Sequence, residues 1–245
     1  MSTTEATSVR PRSLTIVVPA LNEERLIGLT VRELIPIARR TLDEFEVILV
    51  DDGSTDRTGA IMDELALEAP EIRVEHHAKP EGIGAMFRDF ILSTRYANLT
   101  MVAGDRANTT EGLQQLFESV GSADLVVGYR TRLRRPLARQ MISIGFRLFV
   151  SLQFGFRVRD WTGMFIWPVE RVRELVPLPT GNTYAVEILL RLLRRPMVVR
   201  NVPVPQNPEE RGSSKVVCWR TFRDVLSMAR RIWRDKLHGR CWRRT

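Results

Sequence analysis

The first half of the chain alternates between short apolar runs and segments with the composition of helices. Most of the runs are rich in aliphatic residues, so strands formed from them would be buried on both faces of a sheet. Apolar strands separated by helices are typical of a parallel sheet covered by helices on both sides. The runs are residues 14–20, 45–52, 72–77, 99–105 and 123–130, with helical segments near 58–69, 83–95 and 110–120. The sequence therefore predicts an α/β fold with a mostly parallel sheet sandwiched by helices.

Acidic side chains follow three of the predicted strands. Glu23 comes after the first strand, Asp51 and Asp52 end the second, and Asp105 ends the fourth. Because parallel sheets bind their ligands beyond the carboxyl ends of the strands, we expect these side chains at one shared site. Each of them alone would also suit a turn or a helix N-terminus. Their coincidence at one edge of the sheet favours a binding site.

The chain is basic and has the composition of a globular protein. Of its 245 residues, 44% are hydrophobic and 27% are charged, and the net charge of +8 favours a polyanionic partner such as a nucleotide diphosphate or an anionic membrane surface. Two cysteines, Cys218 and Cys241, exclude a disulfide framework and indicate a reducing compartment. No apolar run reaches the roughly 18 residues that a membrane span needs. We therefore expect a cytoplasmic chain that does not itself cross a membrane.

Several common catalytic motifs are absent from the sequence. The first predicted strand runs into Pro19 with no G-x-G-x-x-G after it, and the chain has no P-loop, no G-x-S-x-G and no H-E-x-x-H. The G-x-G at Gly82 and Gly84 follows the third strand instead. Hydride transfer, P-loop hydrolysis, serine hydrolysis and zinc proteolysis are therefore disfavoured.

Seven separate sequence motifs follow one another along residues 14–216. They are "PALNEE" (19–24), "VDDGSTD" (50–56), "KPEGIGAMFRD" (79–89), "DLVVGYR" (124–130), "VRDWTGMF" (158–165), "TYAVEILLR" (183–191) and "VPVPQNPEERGSSK" (202–215). With these motifs the chain resembles the family-two inverting glycosyltransferases, in the dolichyl-phosphate mannose synthase-like branch that uses polyprenyl phosphates. The resemblance implies the A-type glycosyltransferase fold, a Rossmann-like sheet between helices. It also implies that residues 14–216 form the catalytic domain and that residues 1–13 precede it as a flexible terminus.

The resemblance also implies an activity and a set of site residues. The activity is transfer of a hexose from a GDP- or UDP-sugar to a polyprenyl phosphate, with inversion and with Mg²⁺ or Mn²⁺. By resemblance, the metal and diphosphate ligand is Asp105. The residues implied at the donor pocket are Pro19, Ala20, Glu23, Asp51, Asp52, Gly82 and Gly84. Those implied near the phosphates are Arg130, Arg211 and Lys215, and those implied on the acceptor side, or as structural residues of the site, are Asp160 and Glu187.

The motif after the fourth strand departs from the family pattern. Relatives usually carry Asp-x-Asp there, whereas this chain has Ala103, Gly104 and Asp105. Because Mg²⁺ is often held by one or two carboxylates together with substrate phosphates and waters, one aspartate can suffice. The departure also leaves open a metal-independent enzyme, or an inactive relative that binds nucleotides or acts as a scaffold. A second departure is Ile166, where many relatives carry Arg or Lys.

The C-terminal segment 217–245 reads as a basic amphipathic helix and tail. Apolar residues recur at helical spacing from Trp219 to Trp233, and arginines cluster on the other side. Basic amphipathic helices with tryptophan bind membrane interfaces, and anionic lipids attract their cations. We therefore expect peripheral association with the inner face of the cell membrane. An ordinary helix packed on the domain would show a comparable stripe.

A second enzyme hypothesis is a soluble family-two transferase that acts on a saccharide or small-molecule hydroxyl. It would need a general base, for which Asp160 or Glu187 could serve. No nucleic-acid-binding module is recognisable, so nucleic acid is not an expected partner. Homo-oligomerisation is left open by the sequence.

Overall fold

A computed structural model describes residues 11–131, 158–181, 183–207 and 230. The strands are β1 (Ser13–Ala20), β2 (Glu44–Asp51), β3 (Ile72–His76), β4 (Asn98–Met101), β5 (Leu125–Thr131), β6 (Met164–Pro168) and β7 (Val199–Pro205). The helices are α1 (Ile27–Thr41), α2 (Thr58–Glu68), α3 (Ile83–Ser93), α4 (Thr110–Glu118), α5 (Val169–Arg173) and α6 (Tyr184–Leu192).

The seven strands form one sheet in the order β3-β2-β1-β4-β6-β5-β7. Strand β6 is antiparallel to both β4 and β5, and the other pairs are parallel. The predicted mostly parallel sheet is thereby confirmed. The reversal at β6 separates a parallel β3-β2-β1-β4 half from the β5-β7 pair.

Both faces of the sheet are covered, as the apolar runs predict. In β1 the alternate residues Ile16 and Val18 pack into a core that includes Leu34 of α1. The residue between them, Val17, packs into the core on the opposite face together with Phe87 of α3. A strand that is buried on both sides needs apolar residues at every position, which is why these strands read as continuous runs.

The two edge strands carry residues that discourage pairing with another chain. Strand β7 has Pro203 and Pro205, which have no backbone N–H to offer, and β3 has the charged Arg73 and Glu75.

Strand β4 is shorter than the sequence predicts. It ends at Met101 rather than at Asp105, because the chain turns at Gly104 and passes close to β1. A Cβ at Gly104 would lie 2.9 Å from the Cβ of Ala20, so only glycine allows this approach. Asp105 therefore lies in the loop between β4 and α4.

No helix within the described part of the chain is long and apolar enough to cross a bilayer. The predicted amphipathic helix lies outside the described residues, apart from Arg230, which is helical and exposed. The proposed boundaries at residues 14 and 216 stay predictions.

Candidate active site

The carboxyl ends of β1, β2 and β4 meet at one edge of the sheet. The backbone carbonyl of Pro19 accepts a hydrogen bond from the Gly104 N–H at 3.1 Å, and that of Ala20 accepts one from the Asp52 N–H at 3.0 Å. Strand β1 therefore ties the loops that follow its two neighbours to itself. The predicted donor-pocket residues of "PALNEE" and "VDDGSTD" and the predicted metal ligand are brought to one place by this arrangement.

The loops after β1 and β2 are joined by hydrogen bonds between side chains and backbone. Asn22 has a left-handed backbone with φ of 57°. Its N–H donates to Ser54 Oγ at 3.0 Å, and its Oδ1 accepts from the Thr55 N–H at 2.8 Å. The Glu23 N–H donates to Thr58 Oγ1 at 2.8 Å. These contacts fix the positions of both loops.

Asp51 is a buried carboxylate at the end of β2. Its Oδ1 accepts from the Ser54 N–H at 2.9 Å, and its Oδ2 lies 3.4 Å from His76 Nδ1. Burial opposes the charged form, but the hydrogen bonds from Ser54 and His76 outweigh it and lower the pKa of Asp51. Helix α2 has a glycine, Gly59, where it passes this pair. A side chain there would collide with Asp51, since a Cβ would lie 2.5 Å from Asp51 Oδ2. Asp51 is therefore ionised at neutral pH.

His76 links Asp51 to helix α2, since its Nε2 lies 3.0 Å from Asp63 Oδ1. The hydrogen bond to Asp63, with a smaller contribution from Asp51, raises the pKa of His76 above its ordinary 6.5. The stabilisation from protonated His76 is complete below pH 6.5 and is lost as the pH rises through the raised value.

We therefore expect His76→Gln to lower the free energy of unfolding more at pH 6 than at pH 9. Urea unfolding of both proteins at the two pH values measures the difference. An equal cost at pH 6 and pH 9 would show that the charge of His76 does not contribute.

Asp52 binds the backbone of the motif "KPEGIGAMFRD" (79–89). Its Oδ1 accepts from the Glu81 N–H at 2.8 Å and lies 3.0 Å from His77 Nδ1, and its Oδ2 accepts from the Gly82 N–H at 3.3 Å. Gly82 has φ of +87° and immediately precedes α3. The Asp52 carboxylate therefore positions α3 and the loop before it.

The sequence predicts that both histidines, His76 and His77, are surface residues without a function. For His77 this prediction is wrong. His77 is mostly buried, with 17% of its side chain exposed, and His76 is about half exposed. Their positions at the end of the predicted strand 72–77, with Asp51 and Asp52 at the end of the preceding predicted strand, are the signal that could have identified them.

Asp105 lies in the β4–α4 loop beside Glu23. Its Oδ1 accepts from the Ala107 N–H at 3.1 Å. Burial raises the pKa of Glu23, and the negative charges of Asp105 and Asp56 raise it further. Within the described ranges, no Lys or Arg pairs with Asp105. Among the described residues, Glu23 and Asp105 are therefore like charges close to each other at this edge.

No group of three or more His, Cys, Asp or Glu side chains in the described residues could hold a metal ion by itself. The carboxylates of Glu23 and Asp105 are hard oxygen donors, which suits Mg²⁺ or Mn²⁺, and a cation would relieve the repulsion that raises the pKa of Glu23. The residues present therefore fit a divalent ion that is completed by phosphate oxygens.

Arg130 and Asp160 form a bidentate ion pair at the end of β5. Arg130 Nε lies 2.8 Å from Asp160 Oδ2, and Nη2 lies 3.0 Å from Oδ1. Burial opposes ionisation of Asp160, but the hydrogen bonds and charge of Arg130 outweigh it and lower the pKa of Asp160. Thr162 also contacts both side chains. The positive charge of Arg130 is therefore balanced within the protein.

Glu187 is buried on α6, where its Oε1 accepts from Arg191 Nη2 at 2.6 Å. Arg191 also donates to the carbonyls of Leu175 and Pro177 at 3.1 and 3.2 Å. Glu187 thus orients the arginine that holds the loop before α6.

That loop packs on the first turn of α3, where a Cβ at Gly84 would lie 2.4 Å from the Thr180 carbonyl oxygen. The predicted acceptor-side Glu187 and donor-side Gly84 are therefore joined through residues 175–181.

Arg211 and Lys215 lie outside the described residues. The chain that leads to them is fixed on the Asp105 loop, since Asn207 Nδ2 donates to the Arg106 carbonyl at 2.8 Å and Gln206 Nε2 donates to Asn108 Oδ1 at 2.5 Å.

The sequence of this chain matches the model of glycosyl transferase family 2 over residues 15–173. The chain belongs to glycosyl transferase family 2. The predicted family and the predicted enzyme class, a glycosyltransferase, are thereby confirmed.

Two relatives of this family-2 chain are similar over most of their length. An undecaprenyl-phosphate mannosyltransferase from Micrococcus luteus is 31% identical over 218 residues, which cover 84% of this chain and 87% of the relative. A polyprenol monophosphomannose synthase from Mycolicibacterium smegmatis is 28% identical over 224 residues, which cover 85% and 83%.

A glucosyl-3-phosphoglycerate synthase from Mycobacterium tuberculosis, solved with Mn²⁺, UDP-glucose and phosphoglyceric acid, superposes with a TM-score of 0.64 at 18% identity. The match covers 89% of this chain and 78% of that one. This likeness confirms the A-type fold.

Proposed function

We propose that this glycosyltransferase moves a hexose from a nucleotide sugar to a polyprenyl phosphate, with inversion at the sugar. The observation that carries the proposal is the similarity to two enzymes named for polyprenyl-phosphate mannose transfer, over more than four-fifths of their length. The edge formed by the ends of β1, β2 and β4 supplies the donor pocket, with Asp51 held ionised by Ser54 and His76.

A divalent cation would be held by Asp105, with Glu23 beside it and diphosphate oxygens completing its ligands. When bound, it neutralises the charge that develops on the leaving nucleoside diphosphate. The protein's own part is to hold Asp105 next to β1 through the Gly104 N–H. We infer that Arg211 and Lys215 add positive charge at the same phosphates.

The acceptor chemistry favours a phosphate over a hydroxyl. An oxygen of the lipid phosphate attacks the anomeric carbon, the bond from that carbon to the diphosphate breaks, and the configuration inverts. A phosphate monoester is already an anion near neutral pH, so it needs positioning rather than a general base. A hydroxyl acceptor would need such a base. The two candidate bases, Asp160 and Glu187, are both engaged by arginines, and Arg130 lowers the pKa of Asp160.

The same proposal places the protein at the inner face of the cell membrane, where residues 217–245 bind anionic lipid. Its support is the basic amphipathic pattern of that segment and the membrane-lipid substrates named in its relatives.

Thermal stabilisation by nucleotide sugars tests the donor half of the proposal. We expect one of the GDP- or UDP-hexoses, with Mn²⁺ or Mg²⁺, to raise the melting temperature, because a ligand that binds only the native state stabilises it. Matched controls are the same nucleotide sugar with EDTA and the metal without nucleotide. A panel in which no nucleotide sugar changes the melting temperature would contradict a donor site at this edge.

A further inference from the structure

Arg106, the residue after Asp105, adopts an unusual backbone conformation. Its φ of 53° lies in the left-handed region, which residues with a side chain rarely adopt. Such a conformation persists only where surrounding contacts hold it. The Arg106 side chain contacts Glu33 on α1: Nε lies 3.0 Å from Oε1 and 3.2 Å from Oε2, and Nη2 lies 2.5 Å from Oε1.

The Arg106–Glu33 pair is largely shielded from solvent. The exposed fractions of the two side chains are 31% and 28%. The cleft that they line together with Ala103 and Asn108 has no room for a water molecule. The nitrogens of Arg106 contact the Glu33 carboxylate directly, so no water separates the two charges.

The neighbours of Asp105 are held on both sides. Before it, Gly104 donates its N–H to the Pro19 carbonyl and accepts at its own carbonyl from Thr30 Oγ1 at 3.0 Å. After it, the Arg106 carbonyl accepts from Asn207 Nδ2, and the Ala107 N–H donates to Asp105 Oδ1. The ion pair to α1 is the one contact in this set that joins two charged side chains.

We propose that Arg106 and Glu33 are positioning residues for the Asp105 carboxylate. The inference rests on the proposed role of Asp105 at the metal and diphosphate. A motif with two carboxylates holds a cation by chelation, whereas Ala103 leaves the motif after β4 with one, Asp105. A single ligand binds well only if it is fixed in place before binding, since ordering it during binding weakens affinity. The ion pair between Arg106 and Glu33 of α1, called the clamp below, fixes the loop that carries Asp105 before the cation binds.

Helix α1 also provides a matched control. Arg32, next to Glu33 in the sequence, contacts Glu68 of α2 through Nη2 at 2.7 Å and Nε at 3.3 Å. In this second ion pair, as in the first, the arginine contacts the carboxylate through Nε and Nη2, but neither Asp105 nor its loop is involved. Glu68→Gln therefore removes a similar ion pair from the same helix without changing the proposed site.

The test is a Mn²⁺ titration of the full chain with a fixed concentration of the nucleotide diphosphate, GDP or UDP, that stabilises the wild type. The measured quantity is the Mn²⁺ concentration at half of the maximal rise in melting temperature. We expect Glu33→Gln to raise this concentration about five-fold, in line with the loss of one well-formed ion pair. Glu68→Gln should leave it unchanged. Arg106→Asn, which keeps a residue tolerant of the left-handed backbone, should act like Glu33→Gln.

The outcomes separate the inference from the proposed function. If Asp105→Asn abolishes the Mn²⁺ response while Glu33→Gln and Arg106→Asn titrate like the wild type, the clamp is only structural and the inference is overturned. If the wild type shows no Mn²⁺ response, both the metal role of Asp105 and the inference fail. A lower melting temperature without a change in the Mn²⁺ midpoint, in both Glu33→Gln and Glu68→Gln, also counts against the inference.

Discussion

Asp105→Asn will reduce hexose transfer by at least about 100-fold, the usual scale for losing a group that stabilises charge in the transition state. The amide has the same size as the carboxylate, and its oxygen can still accept from the Ala107 N–H, so the loop is preserved. What is lost is the negative charge that would hold the cation at the diphosphate. The rate of transfer from labelled nucleotide sugar measures the effect.

The control for Asp105→Asn is Asp43→Asn. Asp43 pairs with Arg12 next to the amino end of β2, at the opposite edge of the sheet, so its loss should leave the transfer rate unchanged. An Asp105→Asn enzyme with wild-type activity would defeat the assignment of Asp105 to the metal and diphosphate.

Gly84→Ala will destabilise the fold by about 1–3 kcal/mol, the range expected for forcing atoms into a packed site. The added Cβ would lie 2.4 Å from the Thr180 carbonyl oxygen and 2.7 Å from that of Gly181, and backbone atoms cannot move aside as side chains do. The first turn of α3 and residues 180–181 must therefore separate. Urea unfolding measures the loss.

Gly28→Ala is the matched control, because Gly28 is the second residue of α1 as Gly84 is of α3. A Cβ there would lie 3.6 Å from its nearest neighbour, an ordinary contact. Alanine forms helices better than glycine by about 1 kcal/mol, so this variant should be neutral or slightly more stable. Equal effects of the two substitutions would show that residues 180–181 do not pack on α3 as described.

Strands β1, β2 and β3 of the parallel half could be predicted from the sequence almost to the residue. The runs 14–20 and 45–52 correspond to Ser13–Ala20 and Glu44–Asp51, because strands buried on both faces have a strong local signal. The end of β4 could not be predicted: Val102 is buried like a strand residue, but the strand has already ended at Met101. The insertion of β6 between β4 and β5 depends on contacts between distant segments and leaves no local pattern.

The site, too, could be predicted where it depends on local sequence patterns and not where it depends on contacts between distant segments. The acidic residues could be placed at one edge because strand ends are a local feature and parallel strands share an edge. Their partners could not be predicted. Glu33 and Arg106 are 73 residues apart, and Arg130 and Asp160 are 30 apart, so only the folded chain shows that these charges neutralise each other. The resemblance implies a place for Arg130 near the phosphates, which stays a prediction, and its pairing with Asp160 became visible only in the structure.

The acceptor is the part of the proposal on which the two enzyme hypotheses differ most. The most direct measurement is product formation from the stabilising nucleotide sugar with a short polyprenyl phosphate, compared with soluble sugars at matched concentration. We predict a glycosyl phosphate lipid of inverted anomeric configuration, and no product with the soluble sugars. Transfer to a soluble sugar hydroxyl, or no transfer to either acceptor, would contradict the proposed function.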